Sequence, residues 1–269
     1  MKILTIDVEE WFQGFEDIYS NGQYRNFEMR IYDNVERIFR LLESTNTKAT
    51  FFVVGWIAKE YPDLVRRISE RYEIGSHSFS HRQVSSYNKD EFRNDVSSSI
   101  NLLEDITSKG VKYFRAPGFS ITKNQAWAFE VLVENGIEID CSFKGNCPSV
   151  ISYNGIELKE MPINYYSLFW RKMIFSGGGY FRLYPYSMIK YLVENSDYCM
   201  SYFHPRDIDK EQPMKNISLN RKFRSNVGIN KAENKIENLL NDFKFIDIQE
   251  ADNLIDWNSC SKIFMKQMF

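Results

Sequence analysis

The sequence predicts a single α/β domain built on a mostly parallel β-sheet. Between the first residue and about residue 140, strand-like apolar runs alternate four times with stretches of helical periodicity. Each connecting stretch is too short to form a domain of its own, and no internal repeat or low-complexity linker interrupts the chain. The 269 residues fit one α/β barrel, although length alone would also allow two domains.

The elements of the N-terminal half follow in a regular order. "KILTID" predicts the first strand, and "MRIYDNVERIFRLLESTN" predicts a helix whose apolar residues recur at helical spacing. "KATFFVVGW" is the second strand and "IAKEYPDLVRRISERY" the second helix. "EIGSHS", "KDEFRNDVSSSINLLEDIT" and "KYFRAPG" then predict a strand, a helix and a strand ending in a turn. "NQAWAFEVLVENG" is a helix stopped by Gly136, and "IEID" is the next strand.

The second half is less regular. Residues 141–185, rich in Gly, Pro and Tyr, predict an irregular loop insertion. "YSMIKYLVEN" then reads as a helix, "YCMSYFH" as a strand, "GINKAENKIENLLNDF" as a helix, and the region near "KFIDIQEA" as a final strand. We therefore expect one domain over residues 1–269, with an insertion at about 141–185 and a C-terminal tail at about 257–269. The tail "SKIFMKQMF" suits either docking on the domain or peripheral contact with a membrane surface.

Composition narrows the functional classes. A hydrophobic fraction of 43% is ordinary for a globular protein with a core, and a net charge of −2 argues against nucleic-acid binding. The four cysteines show no C-x-x-C spacing, so we expect free thiols. "MKILTID" opens directly as a strand, and the longest apolar run reaches about half the length of a membrane span. We expect no signal peptide, no transmembrane segment, and a cytoplasmic location that includes the inner face of the membrane.

Acidic and imidazole side chains gather at predicted strand ends. His77, His81 and His204 each stand at or just after such an end, where parallel α/β folds build their sites. The first two form H-x-x-x-H, which would bring both rings to one face of a helical turn. Asp7 and Glu9, two apart on a strand, share a face. One carboxylate and two histidines suit a metal site, leaving the other carboxylate as a general base. A solvated acidic loop and a chance H-x-x-x-H are the structural alternatives.

Two arginines and a turn supply further candidates. In "YFRAPGFS", Arg115 can orient a carboxylate through paired hydrogen bonds, and the N–H of Gly118 or Phe119 can meet a developing oxyanion. A surface ion pair that closes the turn is the alternative for Arg115. The run "SGGG" lacks the Gly-Lys-Ser/Thr of a phosphate-binding loop. Arg182 behind it offers a cation to a substrate phosphate or carboxylate, with a structural role as the alternative.

Taken together, the motifs resemble the polysaccharide deacetylase family (NodB homology, carbohydrate esterase family 4), and in particular its Asp-Val-Glu branch associated with bacterial surface-polysaccharide biosynthesis. The matching stretches run in the family's order from residue 5 to residue 209: "TIDVEEWF", "ATFFVVGW", "EIGSHSFSH", "FRAPGFS", "IDCSF", "SGGGYFRLYP" and "YFHPRDID". This resemblance implies a distorted (β/α)7 barrel of NodB-homology type. It also implies one divalent metal ion, most often Zn²⁺, with Fe, Co or Ni as alternatives.

The resemblance also assigns roles to residues. It implies that Asp7 is the catalytic base, that Arg115 orients it, and that His204 is the general acid. The metal ligands that it implies are Glu9, His77 and His81. Asp140 is expected to steer the acid.

Two positions depart from the family pattern. Many members place a second, metal-binding aspartate where this chain has Val8, so the ligand moves to Glu9 and Glu10 becomes a competitor for the ion. Tyr202 stands where many members place a small apolar residue lining the acetyl pocket, which leaves the acyl group open.

The function expected from the sequence is metal-dependent removal of an N-acetyl group from an amino sugar. The sugar would belong to a surface-polysaccharide intermediate, such as O antigen, capsule or exopolysaccharide. The partner would be an N-acetylated sugar or glycan carried on a nucleotide, a lipid or a polymer. Two alternatives stand beside this hypothesis: a small-amide hydrolase of the deformylase or allantoinase type on the same scaffold, and a catalytically dead barrel that binds glycan.

Overall fold

A computed structural model describes residues 1–13, 27–168, 170–213 and 218–265, with the backbone alone at positions 168, 220, 221 and 224. The strands within these ranges are β1 (Lys2–Val8), β2 (Thr50–Val53), β3 (Glu73–Ser76), β4 (Tyr113–Phe114), β5 (Ile139–Asp140), β6 (Ser149–Tyr153), β7 (Ile156–Glu160), β8 (Tyr165–Leu168), β9 (Arg171–Ile174), β10 (Cys199–Phe203) and β11 (Ser261–Phe264).

Helices occupy most of the connections between the strands. They are α1 (Ile31–Ser44), α2 (Gly55–Glu60), α3 (Pro62–Ser69), α4 (Lys89–Thr107), α5 (Trp127–Glu134), α6 (Gly178–Leu183), α7 (Tyr186–Glu194), α8 (Leu219–Asn226), α9 (Ala232–Asp242) and α10 (Ile248–Leu254). Every helix in the described ranges is too short or too polar to cross a lipid bilayer.

The main sheet has the strand order β10-β1-β2-β3-β4-β5-β7-β6-β11. Its first seven strands, from β10 to β7, are all parallel to their neighbours. The order ends with β6 antiparallel to β7 and β11 parallel to β6. Seven parallel strands with helical crossovers confirm the predicted distorted (β/α)7 barrel. Because these strands are parallel, their carboxyl ends open on one side of the molecule.

Periodicity explains why the first elements form as predicted. In α1 the apolar stripe of Val35, Ile38 and Leu42 is buried against the sheet, as the spacing indicates. β2 reads as a continuous apolar run because both of its faces are covered. At the start of α4, Asn88 accepts a hydrogen bond from the Glu91 N–H, and the Glu91 carboxylate accepts one from the Asn88 N–H, which forms a capping box.

The region 141–185 is more ordered than predicted. Instead of an irregular loop, it contains the hairpin β6–β7, the hairpin β8–β9 and helix α6. The turn between β6 and β7 is Asn154-Gly155, with φ of 49° and 82°. Two successive residues with positive φ define the tight hairpin turn that Asn-Gly favours. That dipeptide was the sequence signal for a hairpin, and the prediction overlooked it.

The C-terminal end also differs from the prediction. Near "KFIDIQEA" only Ile246 makes a strand-like bridge, to Ile3, and α10 begins immediately afterwards. The Asp247 carboxylate accepts a hydrogen bond from the Glu250 N–H and caps that helix, which ends the extended segment. Farther along, β11 pairs with β6, so residues 261–264 dock on the domain. Residues 266–269 of the predicted tail lie outside the described residues.

Candidate metal and catalytic site

Three side chains predicted to share a metal ion converge at the open end of the sheet. Glu9 follows β1, His77 follows β3, and their ligand atoms and those of His81 all lie within 4.8 Å of one another. The helical turn expected for H-x-x-x-H is wrong, because residues 77–81 form a bent loop. Positive φ values at Ser78 (62°) and His81 (53°) mark the bends of that loop. The loop thus achieves the convergence that a helical face was expected to provide.

Hydrogen bonds outside the cluster orient both imidazoles. His77 Nδ1 lies 2.7 Å from the Arg115 carbonyl oxygen, and His81 Nδ1 lies 3.1 Å from the Gln13 carbonyl oxygen. A carbonyl can only accept, so each Nδ1 carries the proton and each Nε2 presents its lone pair. Burial lowers the pKa of His77 to about 4, which keeps it neutral, as a ligand must be. His81 Nε2 is 2.5 Å from Glu9 Oε2. Two imidazoles and a carboxylate fit a divalent transition-metal ion.

Glu10 is not available as a competing ligand. Its buried carboxylate accepts hydrogen bonds from the backbone N–H groups of Arg30 (2.7 Å), Ile31 (2.8 Å) and Trp11 (3.1 Å). Two of these donors lie at the N-terminus of α1, where a negative charge is favourable. Glu10 therefore anchors α1, and Glu9 is the carboxylate that faces the histidines.

Asp7 lies beside this cluster and is held by Arg115. The Arg115 Nη1 donates to Asp7 Oδ1 at 2.6 Å and to Thr5 Oγ1 at 2.8 Å. Arg115 has no exposed surface, and its guanidinium carbon lies 4.3 Å from the centroid of the Phe52 ring. The alternative of a surface ion pair is therefore wrong. The second carboxylate oxygen, Asp7 Oδ2, is 4.0 Å from His204 Nε2.

His204 follows β10 and is oriented by Asp207. His204 Nδ1 lies 3.0 Å from Asp207 Oδ2, which also accepts the His204 backbone N–H at 2.9 Å. The turn Pro205–Ile208 brings the carboxylate back to the imidazole, so Nε2 faces the site and lies 3.7 Å from Glu9 Oε1. Burial alone would lower the pKa of His204, but the carboxylates of Glu9 and Asp207 outweigh it and raise the pKa. The protonated form suits a general acid.

The expectation that Asp140 steers His204 is wrong. Asp140 Oδ1 accepts a hydrogen bond from Ser142 Oγ at 2.6 Å, and Asp140 stands opposite Glu160 on the neighbouring strand. Burial raises the pKa of Asp140 to about 6 and, with the charge of Asp140, raises that of Glu160 well above its usual range. The Ser142 hydroxyl in turn accepts the Ala116 N–H at 2.8 Å. Asp140 thus supports the turn that follows Arg115.

Arg182 is not among the residues that line the catalytic pocket. It is buried, its Nε lies 3.2 Å from Asp207 Oδ1, and its Nη1 donates to the Ser225 carbonyl. Arg182 therefore has the structural role weighed as its alternative, and supports Asp207. Asp207 was not predicted from the sequence, although His-Pro-x-Asp has the spacing of a capping box with proline at the first helical position. Arg206, whose Nε lies 3.3 Å from Glu9 Oε1, was not predicted either.

These groups line one pocket of about 580 Å³. The predicted ligands, base, acid and positioning arginine that line it are Asp7, Glu9, His77, His81, Arg115 and His204. Gly118, Phe119 and Tyr202 also line it. The Phe119 N–H donates to the Ala116 carbonyl at 3.0 Å, which leaves the Gly118 N–H as the oxyanion candidate. The Tyr202 ring packs edge-on against Phe119 and against the imidazole of His204, with centroids 5.1 and 5.5 Å apart.

Two family models match consecutive parts of the chain. Residues 10–137 match the polysaccharide deacetylase family, and residues 142–253 match a domain of unknown function, DUF3473. The first match contains both histidines of the metal cluster, whereas Asp7 and Glu9 precede it and His204 lies in the second. The site thus combines residues from both matched segments with two residues that precede them.

Curated relatives match over part of their length. A peptidoglycan-N-acetylglucosamine deacetylase of Bacillus cereus is 36% identical over 96 residues, which are 35% of this chain and 35% of the relative. A chitooligosaccharide deacetylase of Azorhizobium caulinodans is 33% identical over 97 residues, which are 35% of this chain and 43% of the relative. The alignments thus cover less than half of the length of these two curated relatives.

Solved structures share the fold. A Mycobacterium smegmatis protein assigned to the polysaccharide deacetylases superposes with a TM-score of 0.69 at 17% identity, covering 100% of this chain and 94% of that one. A pseudoenzyme of carbohydrate esterase family 4 from Bacillus anthracis superposes with a TM-score of 0.52 at 16% identity, covering 93% of this chain and 64% of that one. At these identities the likeness establishes the fold.

Proposed function

We propose that this protein is a metal-dependent hydrolase that removes the N-acetyl group from an amino sugar of a glycan, because residues 10–137 match the polysaccharide deacetylase family. The observation that carries the proposal is the meeting of three kinds of group in one pocket. These are a triplet of metal-ligating side chains, a carboxylate held by a buried arginine, and an imidazole held by a buried carboxylate. Metal-assisted hydrolysis of an amide uses all three.

Glu9, His77 and His81 would hold the ion. Zn²⁺ suits this donor set, and Fe, Co and Ni are the alternatives. When bound, the ion would lower the pKa of a water molecule and polarise the acyl carbonyl.

The other side chains then have distinct tasks. Arg115 fixes Asp7 through Oδ1, so that Oδ2 is left to take a proton from the attacking water. His204, held by Asp207, donates a proton from Nε2 to the sugar nitrogen as the carbon–nitrogen bond breaks. The Gly118 N–H stabilises the developing oxyanion. The products are acetate and a free amino sugar.

For the substrate we propose an oligomeric N-acetylated glycan of a bacterial surface polysaccharide. The relatives named for peptidoglycan and chitooligosaccharides support an oligomer. A nucleotide- or lipid-linked sugar has no such support. The cytoplasmic location stays a prediction, which cell fractionation would test.

Elemental analysis combined with acetate release from N-acetylglucosamine oligomers tests the proposal. We expect about one divalent ion per chain, lost in His77→Ala, and acetate released in step with free amine. A small-amide hydrolase would cleave formamides or ureides and leave the oligomers intact. A glycan-binding barrel would bind the oligomers without turnover. Either result, obtained with metal-loaded protein, would refute the deacetylase assignment.

A further inference from the structure

A second groove, of about 830 Å³, lies beside the catalytic pocket within the segment of unknown function. One of its walls carries four asparagines spaced every four residues: Asn226, Asn230, Asn234 and Asn238. All four are exposed. Within the described part of the chain, no hydrogen bond engages their side-chain amides. We call this cavity the asparagine groove.

Helix stability does not explain this pattern. Asparagine is a poorer helix former than alanine by roughly 0.5 kcal/mol per residue, because its short amide competes with the backbone for hydrogen bonds. Asn234 and Asn238 nevertheless lie on α9, one turn apart on the same face. Asn230 precedes them at the same spacing, in the turn Ile229–Lys231 that leads into the helix. The amides therefore present a continuous polar face toward the groove, at some expense in helix propensity.

Hydrogen bonds connect the two walls of the asparagine groove. From α9, Lys235 Nζ donates to the carbonyl oxygens of Arg182 (2.8 Å) and Tyr184 (2.6 Å) on the opposite wall. The Tyr186 hydroxyl donates to Asp242 at 2.5 Å. The groove is therefore preformed, and a ligand would not have to order its walls.

The asparagine groove continues from the catalytic pocket. Leu183 lines both cavities. Tyr180 lines the catalytic pocket and Tyr184 lines the groove, and their rings stack with centroids 6.0 Å apart and planes at 22°. A chain leaving the catalytic pocket over Leu183 would cross these rings and then meet the amides.

We propose that the asparagine groove is a distal subsite for the neutral part of the glycan whose amino sugar occupies the catalytic pocket. This inference rests on the proposed function. Each asparagine amide offers one acceptor and two donors, which match sugar hydroxyls and acetamido groups. Among the described residues, the charged side chains on the lining are Arg182, Lys231 and Lys235. Arg182 lies 3.2 Å from Asp207 Oδ1, and Lys235 donates to backbone carbonyl oxygens. The asparagine amides therefore outnumber the one remaining lysine, which favours a neutral ligand. From Asn230 to Asn238 the helical rise covers roughly 12 Å, longer than a single sugar ring.

The test compares the double variant Asn230→Ala/Asn234→Ala with Asn241→Ala. Alanine raises helix propensity, so the double variant should fold. Asn241 lies on the same helix, is exposed and does not line the groove, which makes it the matched control.

Calorimetry gives the Kd for the monomer and tetramer of N-acetylglucosamine, and acetate release gives KM. In the double variant we expect the Kd and KM for the tetramer to rise roughly five- to tenfold, because two neutral hydrogen-bonding groups are lost. The monomer values and the control should match the wild type.

An unchanged Kd for the tetramer in the double variant would overturn the inference, as would a wild-type protein that binds the tetramer no more tightly than the monomer. The proposed function fails separately. If no variant releases acetate but the double variant still binds the tetramer more weakly, the groove is a glycan site on a protein that is not a deacetylase. If acetate is released with equal KM by all variants, the deacetylase assignment stands and the groove does not bind the substrate.

Discussion

The two halves of the site are built differently. In residues 1–137, Asp7, Glu9 and His77 each stand at the end of a strand. The partner that orients Asp7, Arg115, lies more than 100 positions away, just after another strand. In residues 138–265, the proposed acid His204 is held by a partner only three positions away, through a single turn. The first half shows that strand ends of a parallel sheet place functional groups by topology. The second shows that a local turn can place them equally well.

His204→Ala is the most severe test of this comparison. If the locally built half supplies the acid, kcat for acetate release should fall by roughly 10²- to 10⁴-fold. The metal content should stay at the wild-type level, because the three predicted ligands are intact. Acetate release and elemental analysis on the same preparation measure both quantities. Full activity in this variant would show that His204 is not the general acid, and that the required groups all come from residues 1–137.

Asp207→Asn tests whether Asp207 positions the proposed acid His204. The variant keeps the size of the side chain but removes the charge that holds His204 Nδ1. We expect kcat to fall by roughly 10- to 100-fold with KM nearly unchanged, the scale found for groups that orient functional imidazoles. Arg182→Gln is the matched control, because it removes a partner of Asp207 but leaves the bond to His204. The control should lose stability while keeping most of its kcat. Equal kcat in both variants would mean that Asp207 has only a structural role.

This difference between strand-end and local placement also explains which site residues could be predicted from the sequence. Asp7 and Glu9 were placed by the two-residue period of a strand, and the histidines by their positions after strands. Asp207 was not predicted because strand ends supplied the candidates, and Asp140 stands at such an end. In the structure Asp140 faces Glu160 across the sheet instead. The 141–185 region was misread for a related reason: its hairpins are set by turn chemistry rather than by periodicity.

Asp140→Asn tests the corrected role of that residue through the pH dependence of stability. The pKa of Asp140 is raised from 3.8 to about 6 by burial, so the folded state binds more protons than the unfolded state between these values. The free energy of unfolding of the wild type should therefore fall as pH rises through this window. Asparagine does not titrate, so the variant should gain roughly 1–3 kcal/mol relative to the wild type between about pH 4 and pH 7. Urea unfolding at several pH values measures this difference. If the difference in unfolding free energy between the variant and the wild type stayed constant with pH, Asp140 would not be the group with the raised pKa.

Gly155→Ala gives the smallest effect and tests whether the second region is ordered by its turns. Gly155 has φ of 82° at the β6–β7 turn, and an added Cβ would meet nothing within 4 Å. The only penalty is therefore backbone strain, and the free energy of unfolding should fall by about 1 kcal/mol with kcat unchanged.

Gly110→Ala is the control, because its φ is not in the left-handed region and only the Glu104 carboxylate lies near, at 3.9 Å. Its stability should equal or slightly exceed that of the wild type, since alanine restricts the unfolded chain. Equal stability of both variants would mean that residues 149–160 do not form the tight hairpin, and that the irregular insertion predicted from the sequence was correct.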